Sequence, residues 1–254
     1  MKFKSYYKKY LFIFIIFVIF AVFYCMEDYE NADISVKTRT LKKDGFCVLY
    51  NPNYSIHTID YPCDELKRDV LKILPPNYVF IDYIYKINNT SLSTFHRDVT
   101  SSQHIFNTKF PIYTLILYQY DGELLSVCPN SHKTYPFVWS NILNIDGKSG
   151  TAFLFDCDLL HAGITNHCKE RKVIQYKICH QEDLEKLSSL QNIYVEKTEK
   201  CINNIYSTIQ RKLSYFFEMP INYIAYPFMI KRENPNTFIG MIQYFIPLNF
   251  YNNI

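Results

Sequence analysis

No C-x-x-C pair occurs among the eight cysteines of this 254-residue chain, which excludes a zinc ribbon and a thioredoxin-type redox site. There is no basic stripe: the net charge is only +3, and lysine and arginine are scattered singly, so the chain has no electrostatic footprint for nucleic acid. Internal repeats and low-complexity tracts are also missing. Glycine is scarce, six residues against 23 tyrosines and 20 phenylalanines, a balance that fits aromatic-rich strands. Apolar residues make up 48% of the chain, enough to bury a full core, which excludes a disordered protein.

The one long apolar run is Leu11 to Met26, preceded by Lys2, Lys4, Lys8 and Lys9 and followed by Glu27, Asp28 and Glu30. It is a little short of an average membrane span, but snorkelling lysines extend it. No pair of small residues follows it at the spacing of a signal-peptidase site, so an uncleaved anchor is expected. The flanking charges place the amino terminus in the cytosol and the remainder in a lumen or outside. The expected domains are therefore a cytosolic lysine-rich end and transmembrane anchor over 1–26, a polar stalk over 27–43, a folded domain over 44–181, and a helical and aromatic extension over 182–254.

Asp44 to Tyr50 reads as a turn pair followed by a strand, and Tyr61 to Leu74 as a helix stopped by Pro75 and Pro76. Short runs of β-branched and aromatic residues then recur at Tyr78–Ile87, Ile112–Tyr120, Leu124–Cys128, Thr151–Phe155 and Lys172–Ile178, separated by turn chemistry. That spacing predicts a mostly β fold, a sandwich or jelly roll with flanking helices, and excludes a βαβ arrangement. From Leu184 to Leu213 apolar residues recur at helical spacing, predicting one long helix or two shorter ones over 182–217. Such a helix would pack on the domain or form a homodimer. The tail after Met219 is broken by Pro220, Pro227, Pro235 and Pro247, which argues against a second spanning helix. Cys25 falls in the apolar run and leaves seven cysteines, so at least one stays unpaired within a monomer.

The chemistry concentrates in two stretches, SLSTFHRD at Ser91–Asp98 and LLHAG at Leu159–Gly163. Residues i and i+2 of a strand share a face, so His96 and Asp98 can reach one atom together. His161, at the far end of a buried-looking strand, completes two imidazoles and a carboxylate. This facial triad is the ligand set of non-haem Fe(II) oxygenases, and it leaves three positions open. His132 reads as a loop-ordering residue, and His104, His167 and His180 as structural or exposed. Tyr83, Tyr113 and Tyr118 read as core packing.

With Arg171 opening the run RKVIQYKI beyond His161, the sequence resembles the Fe(II)- and 2-oxoglutarate-dependent dioxygenase superfamily, whose double-stranded β-helix carries His-x-Asp, a distal His and a later basic residue. The resemblance covers Asp44 to about His180. DGFCVLY, DGELLSVCPNSHK and the ending from His161 to Lys172 are similar to the phytanoyl-CoA dioxygenase group. Asp121 and Asn130 depart from that group's usual asparagine and glycine. The short interval from Asp98 to His161 and the phrase GTAFLFDCDLLHAG resemble the prolyl-4-hydroxylase-like branch instead.

The resemblance implies a hydroxylase using Fe(II), 2-oxoglutarate and O2, with His96, Asp98 and His161 catalytic and Arg171 binding the co-substrate's distal carboxylate. The carboxylate of Asp98 favours hydroxylation, since related halogenases carry a small residue there. Arg171 and Lys172 face opposite ways. Lys172 heads the apolar set of Ile174, Tyr176 and Ile178, so periodicity leans to Lys172 while the phytanoyl-type pattern favours Arg171. The expected substrate is a lipid or acyl conjugate or small molecule, with a prolyl or lysyl side chain of a secretory protein as the alternative. The rival from another class is an inactive membrane-tethered jelly roll that only binds.

Overall fold

A computed structural model describes residues 3–25, 29–31, 38–89, 94–135, 140–164, 171–198, 211–212 and 214–215. Phe3–Cys25 forms helix α1, and its apolar side chains from Tyr10 to Phe17 and at Ile19 are exposed on every face. Among the described residues no helix is long and apolar enough to cross a membrane, the side chains of α1 being described only over 8–19. Strand β1, Tyr29–Asn31, lies within the stretch expected to be a free stalk. A short helix α2, Leu41–Asp44, is capped by the Thr40 hydroxyl and closed by Gly45 at a φ of 86°. A Cβ at Gly45 would strike His132, so the turn tolerates little else.

Strand β2 (Phe46–Tyr50) leads to α3 (Pro52–His57), started by Asn51 as cap with Pro52 in the first turn. Helix α4 (Asp64–Ile73) buries Leu66 and Val70 one turn apart, and the extended Leu74 before Pro75 ends it. Next come β3 (Tyr78–Phe80), β4 (Tyr83–Asn88), a 3₁₀ turn at Val99–Ser101 and α5 (Gln103–Phe106). The remaining strands are β5 (Tyr113–Tyr118), β6 (Gly122–Val127), β7 (Ile142–Gly147), β8 (Thr151–Asp156), β9 (His161–Gly163), β10 (Lys172–His180) and β11 (Ile193–Thr198).

These form two sheets. The larger runs β11-β4-β10-β5-β8-β2, with β3 also on β10, and the smaller runs β1-β7-β6-β9. From β4 onward the chain passes back and forth between the sheets, and the antiparallel bridge of His96 to His161 adds one more rung beyond β9. This is the strand order of a jelly roll.

Both faces of the larger sheet are buried. Ile116, Tyr118, Phe153, Phe155 and Val173 meet Leu125, Val127, Leu143 and Ile145 of the smaller sheet. Leu115, Leu117, Leu154, Ile174, Tyr176 and Ile178 point the other way, onto Tyr54 of α3 and Leu66 and Val70 of α4. The apolar set headed by Lys172 therefore does face a core, but the outer one beneath the helices.

Over the first part of the stretch expected to be one long helix or two shorter ones, 182–217, the chain forms a 3₁₀ segment at Gln181–Leu190 followed by β11; 199–210 lie outside the described residues, and 211–212 and 214–215 are helical. Asn192, at a φ of 58°, breaks the helical path, and Ile193, Tyr194 and Val195 pair in parallel with Tyr83 to Tyr85 of β4. An open sheet edge has captured a β-branched run that helical spacing alone assigned otherwise. The larger sheet thus continues to Thr198, beyond the 44–181 stretch read as the folded domain. Among the described residues Cys47, Cys63, Cys157 and Cys179 are buried or half-buried and form no disulfide.

Candidate metal centre

His96 and His161 each donate a backbone N–H to the other's carbonyl, at 2.9 and 3.0 Å. Such a directly opposed pair puts both side chains on one face. The ring centroids lie 4.5 Å apart. Asp98, two residues on, falls on the same side as its N–H bonds the carbonyl of Cys157 at 2.9 Å. One ligand atom from each of His96, Asp98 and His161 lies within 4.8 Å of the others, the arrangement a single bound metal ion needs.

Each imidazole is oriented in the same way. Nδ1 of His96 lies 2.8 Å from the carbonyl of Thr94, and Nδ1 of His161 lies 2.9 Å from that of Leu159. With Nδ1–H donating to these carbonyls, each Nε2 lone pair is left for a metal. Those Nε2 atoms stand 3.9 and 3.7 Å from Oδ1 of Asp98. An ion among them would reach the usual ~2.0–2.2 Å after a small inward movement. Burial and the neighbouring His96 push His161 down to about 4, so its ring is neutral at physiological pH.

Asp98 is held from behind. Oδ2 accepts hydrogen bonds from Thr114 Oγ1 at 2.5 Å and from Lys177 Nζ at 2.7 Å. Lys177 is 1% exposed and also donates to Ser101 and Thr114 at 2.8 and 2.7 Å. Burial alone would raise the carboxyl, but Lys177, His161 and His96 together hold it well below the usual range. One carboxylate oxygen is thus occupied and the other turned to the imidazoles, which suits monodentate ligation. Lys177 is a site residue that motif reading missed. Its signal was membership of the largely polar period-two set Arg171, Val173, Gln175 and Lys177, opposite the apolar set of Ile174, Tyr176 and Ile178.

Along the inward face of β10 the chain sets out Arg171, Val173, Gln175 and Lys177, while Lys172 is exposed. Arg171 is buried, and among the described residues neither its Nε nor the hydroxyl of fully buried Tyr118 beside it meets a partner at close hydrogen-bond geometry. The Arg171 charge acts on the phenols of Tyr118 and Tyr120, opposing the upward push of burial on both. An unpaired guanidinium nitrogen and a phenol side by side fit an incoming carboxylate. Gln175 stands between them and the metal site, its Nε2 3.4 Å from Asp98 Oδ2.

Other histidines do not join. His104 stacks on Tyr135 at 4.2 Å, His180 caps the 3₁₀ segment through Glu182, and His132 lies under Gly45. His167 lies outside the described residues. Tyr83, Tyr113 and Tyr118 are buried as expected, though Tyr118 also faces the site.

No protein-family model and no curated protein matches the chain. Among solved structures it is similar to apo HygX from Streptomyces hygroscopicus, with 13% identity over 56% of this chain and 84% of that one and a TM-score of 0.41. The same protein with nickel and 2-oxoglutarate bound matches at 11% identity over the same shares, with a TM-score of 0.42. The α-ketoglutarate-dependent non-haem epimerase SnoN from nogalamycin biosynthesis matches at 10% identity over 65% of this chain and 93% of that one, with a TM-score of 0.43. These likenesses are distant, and the weight falls on the geometry of the centre itself.

Proposed function

We propose that this chain is an Fe(II)- and 2-oxoglutarate-dependent oxygenase that hydroxylates a C–H bond, held at a membrane through the apolar run of α1. The observation that carries the reading is the convergence of His96, Asp98 and His161 on one point with their metal-binding atoms turned inward. Two imidazoles and one carboxylate select iron and leave room for a chelating co-substrate and oxygen. When bound, iron with 2-oxoglutarate and O2 supplies the oxidising chemistry.

The chain's own residues do the rest. His96 and His161 would offer their Nε2 atoms to the metal, and Lys177 and Thr114 keep Asp98 ionised with one oxygen left to face it. Arg171 and Tyr118 would hold the distal carboxylate of 2-oxoglutarate, with Gln175 between them and the metal site. The aromatic walls at Phe155 and Tyr83 exclude water from this face.

Arg171 in place of Lys172 favours the phytanoyl-type reading, for which a lipid or acyl conjugate is the substrate class. A helix with apolar side chains exposed on every face supports an anchor, and the lysines before Leu11 place the amino terminus in the cytosol. The test is the full chain purified in detergent. It should take up one iron and release succinate from 2-oxoglutarate, slowly even without substrate. Iron uptake with no succinate under any condition would leave only a metal-binding jelly roll.

A further inference from the structure

The two imidazoles rest on the least secured strands of the fold. His96 belongs to an isolated bridge and His161 opens a strand of three residues. At this edge residues from the distant C-terminal extension return. Ser214 Oγ accepts the backbone N–H of Phe95 at 2.8 Å, immediately before His96. Arg211 donates to the carbonyl of Gly163 at 2.5 Å, two residues past His161, and to Ser126 Oγ of β6 at 2.7 Å. Its guanidinium lies 4.7 Å from the ring of Phe95, which also meets Tyr215 at 5.4 Å. Tyr215 in turn donates to the carbonyl of Ser140, ahead of β7, at 2.7 Å.

Arg211 and Ser214 are themselves buried, at 7% and 2% exposure, so these bonds are little diluted by water. Strand alternation sends Phe95 to the face opposite His96, so the segment grips the back of the sheet while the ligands face inward. A guanidinium fork is suited to spanning two acceptors on neighbouring strands.

We propose that Arg211, Ser214 and Tyr215 form a brace that sets the spacing of His96 and His161, making the C-terminal extension part of the metal centre. They are positioning residues: none touches the ligand atoms; Arg211 and Ser214 act through the backbone near a ligand and Tyr215 through the ring of Phe95. The inference rests on the metal-centre reading above.

The test is Mn(II) binding by the full chain in detergent, at fixed temperature, alongside the thermal midpoint of the metal-free protein. Arg211→Met and Ser214→Ala should each weaken Mn(II) binding by roughly tenfold or more, as loss of outer-sphere support does. Each variant also leaves a buried backbone group without its partner, so the metal-free midpoint should fall by a few degrees, and Ser214→Thr, which keeps the hydroxyl, should restore both affinity and midpoint. Should Arg211→Met fail to fold, Ser214→Ala and its threonine rescue decide alone. Unchanged affinity in both variants, or a fall in the metal-free midpoint with affinity intact, would overturn the brace and leave a packing role. A wild-type chain that takes up no metal overturns the centre itself, a different result from a wild type that binds beside variants that bind equally.

Discussion

The two sheets divide the work unequally. The larger has long strands buried on both faces, and it supplies Lys177 and the Thr114 hydroxyl behind Asp98, with Arg171 just ahead of β10. The smaller supplies both imidazoles from a single bridge and a three-residue strand. The difference teaches that ligand identity and ligand security come from different parts of the fold. The well-packed sheet fixes where a carboxylate must stand, and the lightly held edge must be secured from outside.

The hardest break is at the ligands. His96→Ala, Asp98→Ala and His161→Ala should each abolish 2-oxoglutarate turnover, because three protein ligands leave none to spare; near-normal succinate release by any one would remove that residue from the centre. On the larger sheet, Lys177→Met leaves a buried carboxylate without its cation. The metal-free protein should lose about 3–5 kcal/mol of stability. Added metal replaces the missing charge, so metal should raise the thermal midpoint more in the variant than in the wild type. Equal increments in the two proteins would show that Lys177 does not share Asp98 with the metal.

Farther from the ion the expected effects narrow to one function each. Arg171→Ala should raise the half-saturating 2-oxoglutarate concentration by tens of fold or more, as about 2–5 kcal/mol for a buried carboxylate left unpaired implies. Iron binding should stay intact, and Lys172→Ala, on the exposed face, should change little. The reverse pattern in steady-state kinetics would move the co-substrate to Lys172. In the helix layer, Leu66→Ala should cost about 2–5 kcal/mol of stability as a core truncation. Metal affinity of the folded variant should remain, since Leu66 packs on the outer face only.

The mildest effect concerns pH. Burial first, then Asp158, raises Asp156 to about 7 from an ordinary 3.8. The folded state then holds a proton that the unfolded chain releases above about 4, so this contribution is complete below that pH and is lost as pH rises through 7. Asp156→Asn keeps the acceptor for the Asp158 N–H and removes the titration. Its thermal midpoint should fall less than that of the wild type between pH 4 and 8; parallel curves would remove Asp156 as the source.

His-x-Asp was legible because period-two spacing is a property of the strand itself, and His161 because it closed an apolar run. Helix α4 and most of the strands were legible for the same local reason. The 193–198 segment was not, since Leu187, Leu190 and Tyr194 satisfy helical spacing and only the open edge of β4 makes a strand preferable. The polar stalk concealed a pairing of Tyr29–Asn31 with β7 in the same way.

By itself the sequence determined a jelly-roll class of strands, the three residues His96, Asp98 and His161 that the fold brings together, and the fact that Arg171 and Lys172 must part to opposite faces. Tertiary structure decided which face was inside. Ile174, Tyr176 and Ile178 are apolar because helices cover them, so Arg171 and Lys177 were left to the interior, where Lys177 meets Asp98. Periodicity separates two faces of a strand but carries no sign. That sign, like the return of Arg211 and Ser214 to the edge holding His96 and His161, comes from contacts between residues far apart in the chain.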